Sequence, residues 1–192
     1  MLKKISFATL MWSIAPLALA HGEGAHSHGA GLIAGLAHPF SGLDHLLAMV
    51  AVGLWAAQKG GRALWILPLA FVGMMVLGGA LGGLGISLLG IETGIVLSVM
   101  VLGLLVALQS RWALPLAGSM VGLFAMFHGM AHGVEMPNAA SPWAYGLGMM
   151  AATAFLHATG VLAGMKLREI TLRITGAMIS VAGLGMVFPL LG

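Results

Sequence analysis

The sequence predicts an all-α integral membrane protein, a six-transmembrane-helix bundle after a cleaved signal peptide. Three observations carry that expectation. Hydrophobic residues make up 60% of the 192 and charged residues 7%, with a mean hydropathy of +1.05, whereas about 25% of a soluble domain is charged. So few charges cannot solvate a protein surface, and lipid must be the main solvent. The apolar residues fall into six runs, each with roughly the 17–25 residues, or slightly more, that a crossing helix needs. Basic residues occur only in alternate connections between those runs.

Composition closes other classes. Thirty glycines suit helices that approach closely in lipid. The chain has no cysteine, which removes disulfides and thiolate metal sites. The net charge of +3 comes from basic residues scattered singly, which is not a nucleic-acid patch.

Along the chain, residues 1–20 read as the signal peptide. Lys3 and Lys4 form a basic start, Ile5 to Leu19 is apolar but short of the roughly 20 residues of a span, and Ala18-Leu19-Ala20 is a small-x-small cleavage signal. An uncleaved N-terminal anchor is the alternative. Residues 21–30, HGEGAHSHGA, read as a flexible His-rich periplasmic tail. The six-helix transmembrane domain, 31–192, then has apolar segments at about 31–57, 63–83, 87–108, 112–134, 143–165 and 174–191. Helices satisfy their backbone within one segment in lipid, and the runs are too long and too uniform for barrel strands.

With the mature N-terminus outside, the connections after segments 1, 3 and 5 are cytoplasmic. They hold Lys59 and Arg62, then Arg111, then Lys166, Arg168 and Arg173, with Glu169 among the last group. With Lys3 and Lys4, all 8 basic residues lie on one side, as the positive-inside rule requires. The C-terminus then ends outside. Two inverted sets of three spans would fit this count, but the polar motifs of segments 1 and 4 do not occupy equivalent positions.

Ionisable groups inside a membrane usually face the bundle interior or a water-filled path. In segment 4, FHGMAHGVE places His128, His132 and Glu135 at i, i+4 and i+7, within roughly 60° on one helix face. Two histidines one turn apart have a metal-chelating spacing. The alternative is a pair of imidazoles bonded to carbonyls of a neighbouring helix. In segment 1, AHPFSGLDHLLAM holds His38 and His45 on one face, with Asp44 about 100° away in a straight helix. Pro39 and Gly42 predict a kink or break near residues 37–42 that turns Asp44 toward the histidines. Alternatively, the helix starts only near Ser41 and Asp44 caps it. Depth places both motifs between the midplane and the outer surface.

Nitrogen and oxygen donors of this kind suit Ni²⁺, Co²⁺ or Zn²⁺. The 15 methionines read as packing, with Met49, one turn beyond His45, the exception to watch. Accessory candidates are His21, His26 and His28 of the tail, with Glu23 beside them. Glu92 is either a vestibule ligand or a helix-start acid, and His157 is either a second site or a partner of Thr153.

His38 with Asp44-His45, together with Phe127-His128-Gly129-Met130-Ala131-His132-Gly133-Val134-Glu135, resembles the HupE/UreJ family, and the likeness extends over the whole chain. The resemblance implies a bacterial inner-membrane permease for Ni²⁺ or Co²⁺ and no enzyme. It implies a link to hydrogenase, urease or cobalamin metal-delivery proteins, and metal-handling residues at His38, Asp44, His45, His128, His132 and Glu135. The chain contains no G-x-x-x-x-G-K-[ST] loop, so a facilitator or secondary carrier is expected. The rival readings are an intramembrane zinc-dependent hydrolase, with the same donors holding a catalytic ion, and a membrane metal sensor or chaperone.

Overall fold

The computed structural model describes residues 28–86, 88–137 and 141–188, with side chains from Gly31 onward. The predicted signal peptide and His21, Glu23 and His26 of the predicted tail lie outside the described residues. Among the described residues the chain is helical, without a strand. The helices are α1 His28–Ser41, α2 Leu43–Lys59, α3 Ala63–Gly83, α4 Ile91–Ala107, α5 Leu114–Glu135, α6 Pro142–Lys166 and α7 Glu169–Val187.

Each predicted apolar segment is helical, with corrections at the two ends of the domain. The break expected near residues 37–42 is present: the segment at 31–57 is two helices, α1 and α2, bent by 83° across Gly42. The alternative of a helix that first starts near Ser41 does not hold, because α1 already runs from His28 to Ser41. Pro39 lies inside α1 and contributes no N–H to it. The Ser41 hydroxyl donates to the His38 carbonyl at 2.6 Å, and α2 restarts with Leu46 N–H donating to the Gly42 carbonyl. Helix α1 also starts at His28, inside the stretch expected to be tail. The second correction is at the other end, where α7 begins at Glu169 rather than near 174. Glu169, expected in a loop, sits in the first turn with Arg173 one turn on, 4.0 Å away, and an acid there complements the positive end of the helix dipole.

Helices α3, α5, α6 and α7 are long and apolar enough to cross a bilayer, and α1 with α2 pass as one bent pair. Helix α4, with 17 residues, is shorter. If the bent pair counts as one unit, the tightest packing is between units one and five, two and four, and three and six. Exchanging the first three units with the last three maps these pairings onto one another. The correspondence stops at these three pairings: α2 also packs on α3 and α4, whereas among the described residues α5 has no matching contact with α6 or α7.

Glycine sets these close approaches. A Cβ on Gly129 of α5 would collide with the Met75 carbonyl of α3, and one on Gly133 with the Gly79 carbonyl. Backbone contact holds α5 against α3 and fixes the rotation of the helix that carries His128 and His132. The core runs through Met49, Leu54, Trp55, Leu67, Phe71, Val99 and Leu102. Large apolar side chains cover the outside, with Trp65 and Trp143 exposed near the two ends of the bundle, as expected of aromatic belts.

One end of the bundle is basic. Lys59, Arg62 and Arg111 line a shared depression there, and Gly164 packs on Ala57 near the same end, which brings Lys166 to it. The bend at Gly42 and the C-terminus of α5 lie at the opposite end.

Candidate metal centre

The bend delivers the first motif. Gly42 is extended (φ −105°, ψ 121°), and an added Cβ would meet Asp44 Oδ1 at 2.6 Å and His45 Nδ1 at 3.0 Å. The bare backbone at Gly42 leaves room for those side chains to fold over the start of α2. Asp44 Oδ1 accepts from the His45 backbone N–H and from His45 Nδ1–H, both at 2.7 Å. Because a carboxylate only accepts, the His45 proton is on Nδ1 and the Nε2 lone pair is free. Asp44 therefore turns inward as expected, but its recorded partner is His45.

The second motif comes from α5. Phe127 packs its ring where Gly94 of α4 has no side chain. His128 is fully buried, and its Nε2 lies 2.8 Å from Ser98 Oγ. Ser98 spends its single proton on the Ile95 carbonyl at 2.6 Å, so it must accept from His128 Nε2–H. That leaves the His128 Nδ1 lone pair free. The neighbouring-carbonyl alternative does not hold for His128, whose partner is a hydroxyl.

These elements bring four imidazoles together. Ring centroids are 4.5 Å apart for His45 and His132, 4.8 Å for His45 and His128, and 4.8 Å for His38 and His132. His38 Nε2 lies 3.1 Å from Glu135 Oε2. Ligand atoms of His38, His132 and Glu135 all fall within 4.8 Å of one another. Exposure falls along the set. The Glu135 and His38 side chains are 47% and 26% accessible, while His132, His45 and His128 are buried.

Among the described residues, four buried ring nitrogens in this cluster meet no protein hydrogen-bond partner: His45 Nε2, His128 Nδ1 and both nitrogens of His132. An unmet buried polar atom costs about 1–3 kcal/mol, so a folded protein rarely gathers four without a ligand. A metal ligand needs the pattern seen at His45 and His128, with one ring nitrogen held by a carboxylate or hydroxyl and the other free. The donors present fit a divalent ion of the Ni²⁺, Co²⁺ or Zn²⁺ type.

The other candidates separate. Glu92 is exposed in the first turn of α4, outside the His38–His132–Glu135 group. His28 opens α1. His157 Nδ1 donates to the Met49 carbonyl at 2.7 Å. Its expected partner Thr153 instead points its hydroxyl at Met75 Sδ, 3.6 Å away. What Met49 offers His157 is thus its backbone carbonyl. Three neighbours were not foreseen. Ser98 is the one hydroxyl residue beyond the first turn of an apolar helix, and that was its available signal. Tyr145, the single tyrosine in the chain, packs 5.9 Å from the His38 ring with a buried, unpartnered hydroxyl. Phe71 gives no signal in the sequence.

Fold and site define a helical membrane bundle with a buried imidazole–carboxylate cluster open at one end. The chain belongs to the HupE/UreJ family: the family model described as HupE / UreJ protein matches residues 9–186. It is 45% identical over 185 residues to Protein HupE of Rhizobium leguminosarum bv. viciae, covering 93% of this chain and 97% of that one. No solved structure matches. Membership in this nickel/cobalt transport-associated family supports a metal permease role in general and fits a protein that is not an enzyme.

Proposed function

We propose that the protein is a secondary permease importing Ni²⁺, or Co²⁺, across the bacterial inner membrane. In this reading the signal peptide is removed after Ala20 and the bundle crosses the membrane six times. The basic end faces the cytoplasm, and both mature termini are periplasmic. The transported ion is the substrate. It enters at Glu135 and His38, passes to His132 and His45, and reaches His128 as water is excluded. Asp44 and Ser98 hold His45 and His128 in the tautomers that leave a lone pair for the ion. Delivery proteins for hydrogenase, urease or cobalamin synthesis would receive it on the inner side.

The observation that carries the reading is the set of four buried imidazole nitrogens without protein partners among the described residues, reached from the more exposed Glu135 and His38. The decisive experiment is flux of nickel and cobalt into proteoliposomes containing the purified protein alone. Accumulation inside the vesicles is expected. Binding without flux would favour a sensor or chaperone, and turnover of lipid or peptide with bound zinc would favour a hydrolase. A reporter fused after Gly192 is expected to be periplasmic.

A further inference from the structure

A fifth buried imidazole nitrogen without a partner lies outside both motifs. His157, in the middle of α6, is 2% exposed and uses Nδ1 on the Met49 carbonyl, which leaves Nε2 unpaired. Met49 is one turn along α2 from His45 in the direction of the basic end, about 6 Å of rise. The His157 backbone lies against α2 at Gly53, further in the same direction. His157 is thus the next ring inward from the cluster.

The ring that touches both sides is Phe71. It is fully buried on α3, with its centroid 5.6 Å from His128 and 4.9 Å from His157. One turn outward on the same two helices, Met75 and Thr153 face each other. Phe71 is thus the aromatic side chain in contact with both imidazoles.

We infer that His157 Nε2 forms a second, inner binding position for the divalent cation, separated from the outer cluster by Phe71. The inference rests on the metal-transport reading and adds a step to it. The two positions differ in kind. The outer one brings two imidazoles and a carboxylate, those of His38, His132 and Glu135, within ligand reach of one another, with His45 and His128 packed inward of them, whereas the inner one has a single imidazole. Conduction needs sites that bind well enough to be entered and weakly enough to be left. A lone imidazole meets the second condition.

The test uses the full chain, purified and reconstituted, with nickel chloride as the probe. His157→Asn keeps an amide N–H where Nδ1 lies and removes Nε2. It is expected to bind nickel at the outer cluster within about twofold of wild type and to lower nickel flux at least tenfold. Flux kept in His157→Asn overturns the inference. A loss of affinity as large as the loss of flux also overturns it, since His157 would then serve the outer cluster or the fold. Phe71→Leu supplies an independent arm. With the ring removed and the site kept apolar, flux is expected to rise severalfold at unchanged affinity, and unchanged flux removes the partition. Failure of the parent reading looks different, because wild-type protein itself would then accumulate no nickel.

Discussion

The two ends of the bundle treat buried polar side chains in opposite ways. At the basic end, Trp55 Nε1 donates to the Ser110 carbonyl at 2.9 Å, Gln58 Nε2 to the Val106 carbonyl at 3.0 Å, and Lys59 Nζ to the Trp112 carbonyl. Lys59 also lies 5.5 Å over the Trp55 ring. These side chains tie the end of α2 to the turn between α4 and α5, and each gives a donor to backbone. Among the described residues, the buried polar atom left over at this end is Gln58 Oε1. At the opposite end the imidazole donors are used in the same way, on Asp44, Ser98 and Met49, yet each ring keeps a second nitrogen turned into the protein with nothing to meet. One end closes its polar groups and the other holds them open. Polarity within an apolar bundle is thus not by itself a sign of function; unspent lone pairs on rings whose other nitrogen is pinned are.

The largest expected break in this contrast is at His128. His128→Ala removes a ligand and is expected to cut nickel uptake by two orders of magnitude or more in cells lacking other importers. Measured beside it, Trp55→Phe should keep wild-type uptake. Wild-type uptake in His128→Ala, or in Asp44→Ala, would remove the proposed site. Next is the orienting shell. Ser98→Ala frees the His128 tautomer and is expected to weaken nickel affinity about 10–100-fold, read by calorimetry on purified protein. Gly42→Ala, which places a methyl against Asp44 Oδ1 and His45 Nδ1, should reduce affinity about tenfold or less, since the side chains can shift partway.

Acidification gives a smaller and graded effect. Ligation requires the free imidazole lone pair, so protons compete with the ion. Bound protons increase as pH falls, and uptake should therefore decline as the medium is acidified from neutral pH. A rise in uptake over the same range would contradict ligation by neutral imidazole. The smallest effect belongs to the closed end. Trp55→Phe loses one hydrogen bond, which costs about 1 kcal/mol. It should appear as a lower melting temperature with transport intact.

The residues differ in how far they can be read without coordinates. His128, His132 and Glu135 are legible because helix periodicity puts i, i+4 and i+7 on one face, and α5 is one unbroken helix over that stretch. Asp44 was legible only as a question, since its direction depends on where the chain bends. Pro39 and Gly42 announce a break, but Pro39 is accommodated inside α1 and the extended residue is Gly42. Ser98, Tyr145 and Phe71 act across helices, and a contact between α4 and α5 or between α3 and α6 leaves no spacing in one sequence.

What the sequence alone determines is the class of solvent, the helical state, the grouping of the basic residues in alternate connections and the face of α5 that carries His128, His132 and Glu135. All of these follow from composition and local periodicity. The tertiary structure alone decides the 83° bend at Gly42, which helices pack together, and the proton positions on His45, His128 and His157. Those depend on which backbone carbonyl, hydroxyl or carboxylate meets each side chain across a helix interface. The physical reason is that a hydrogen bond is short and directional, so its partner is chosen by packing and not by chain distance.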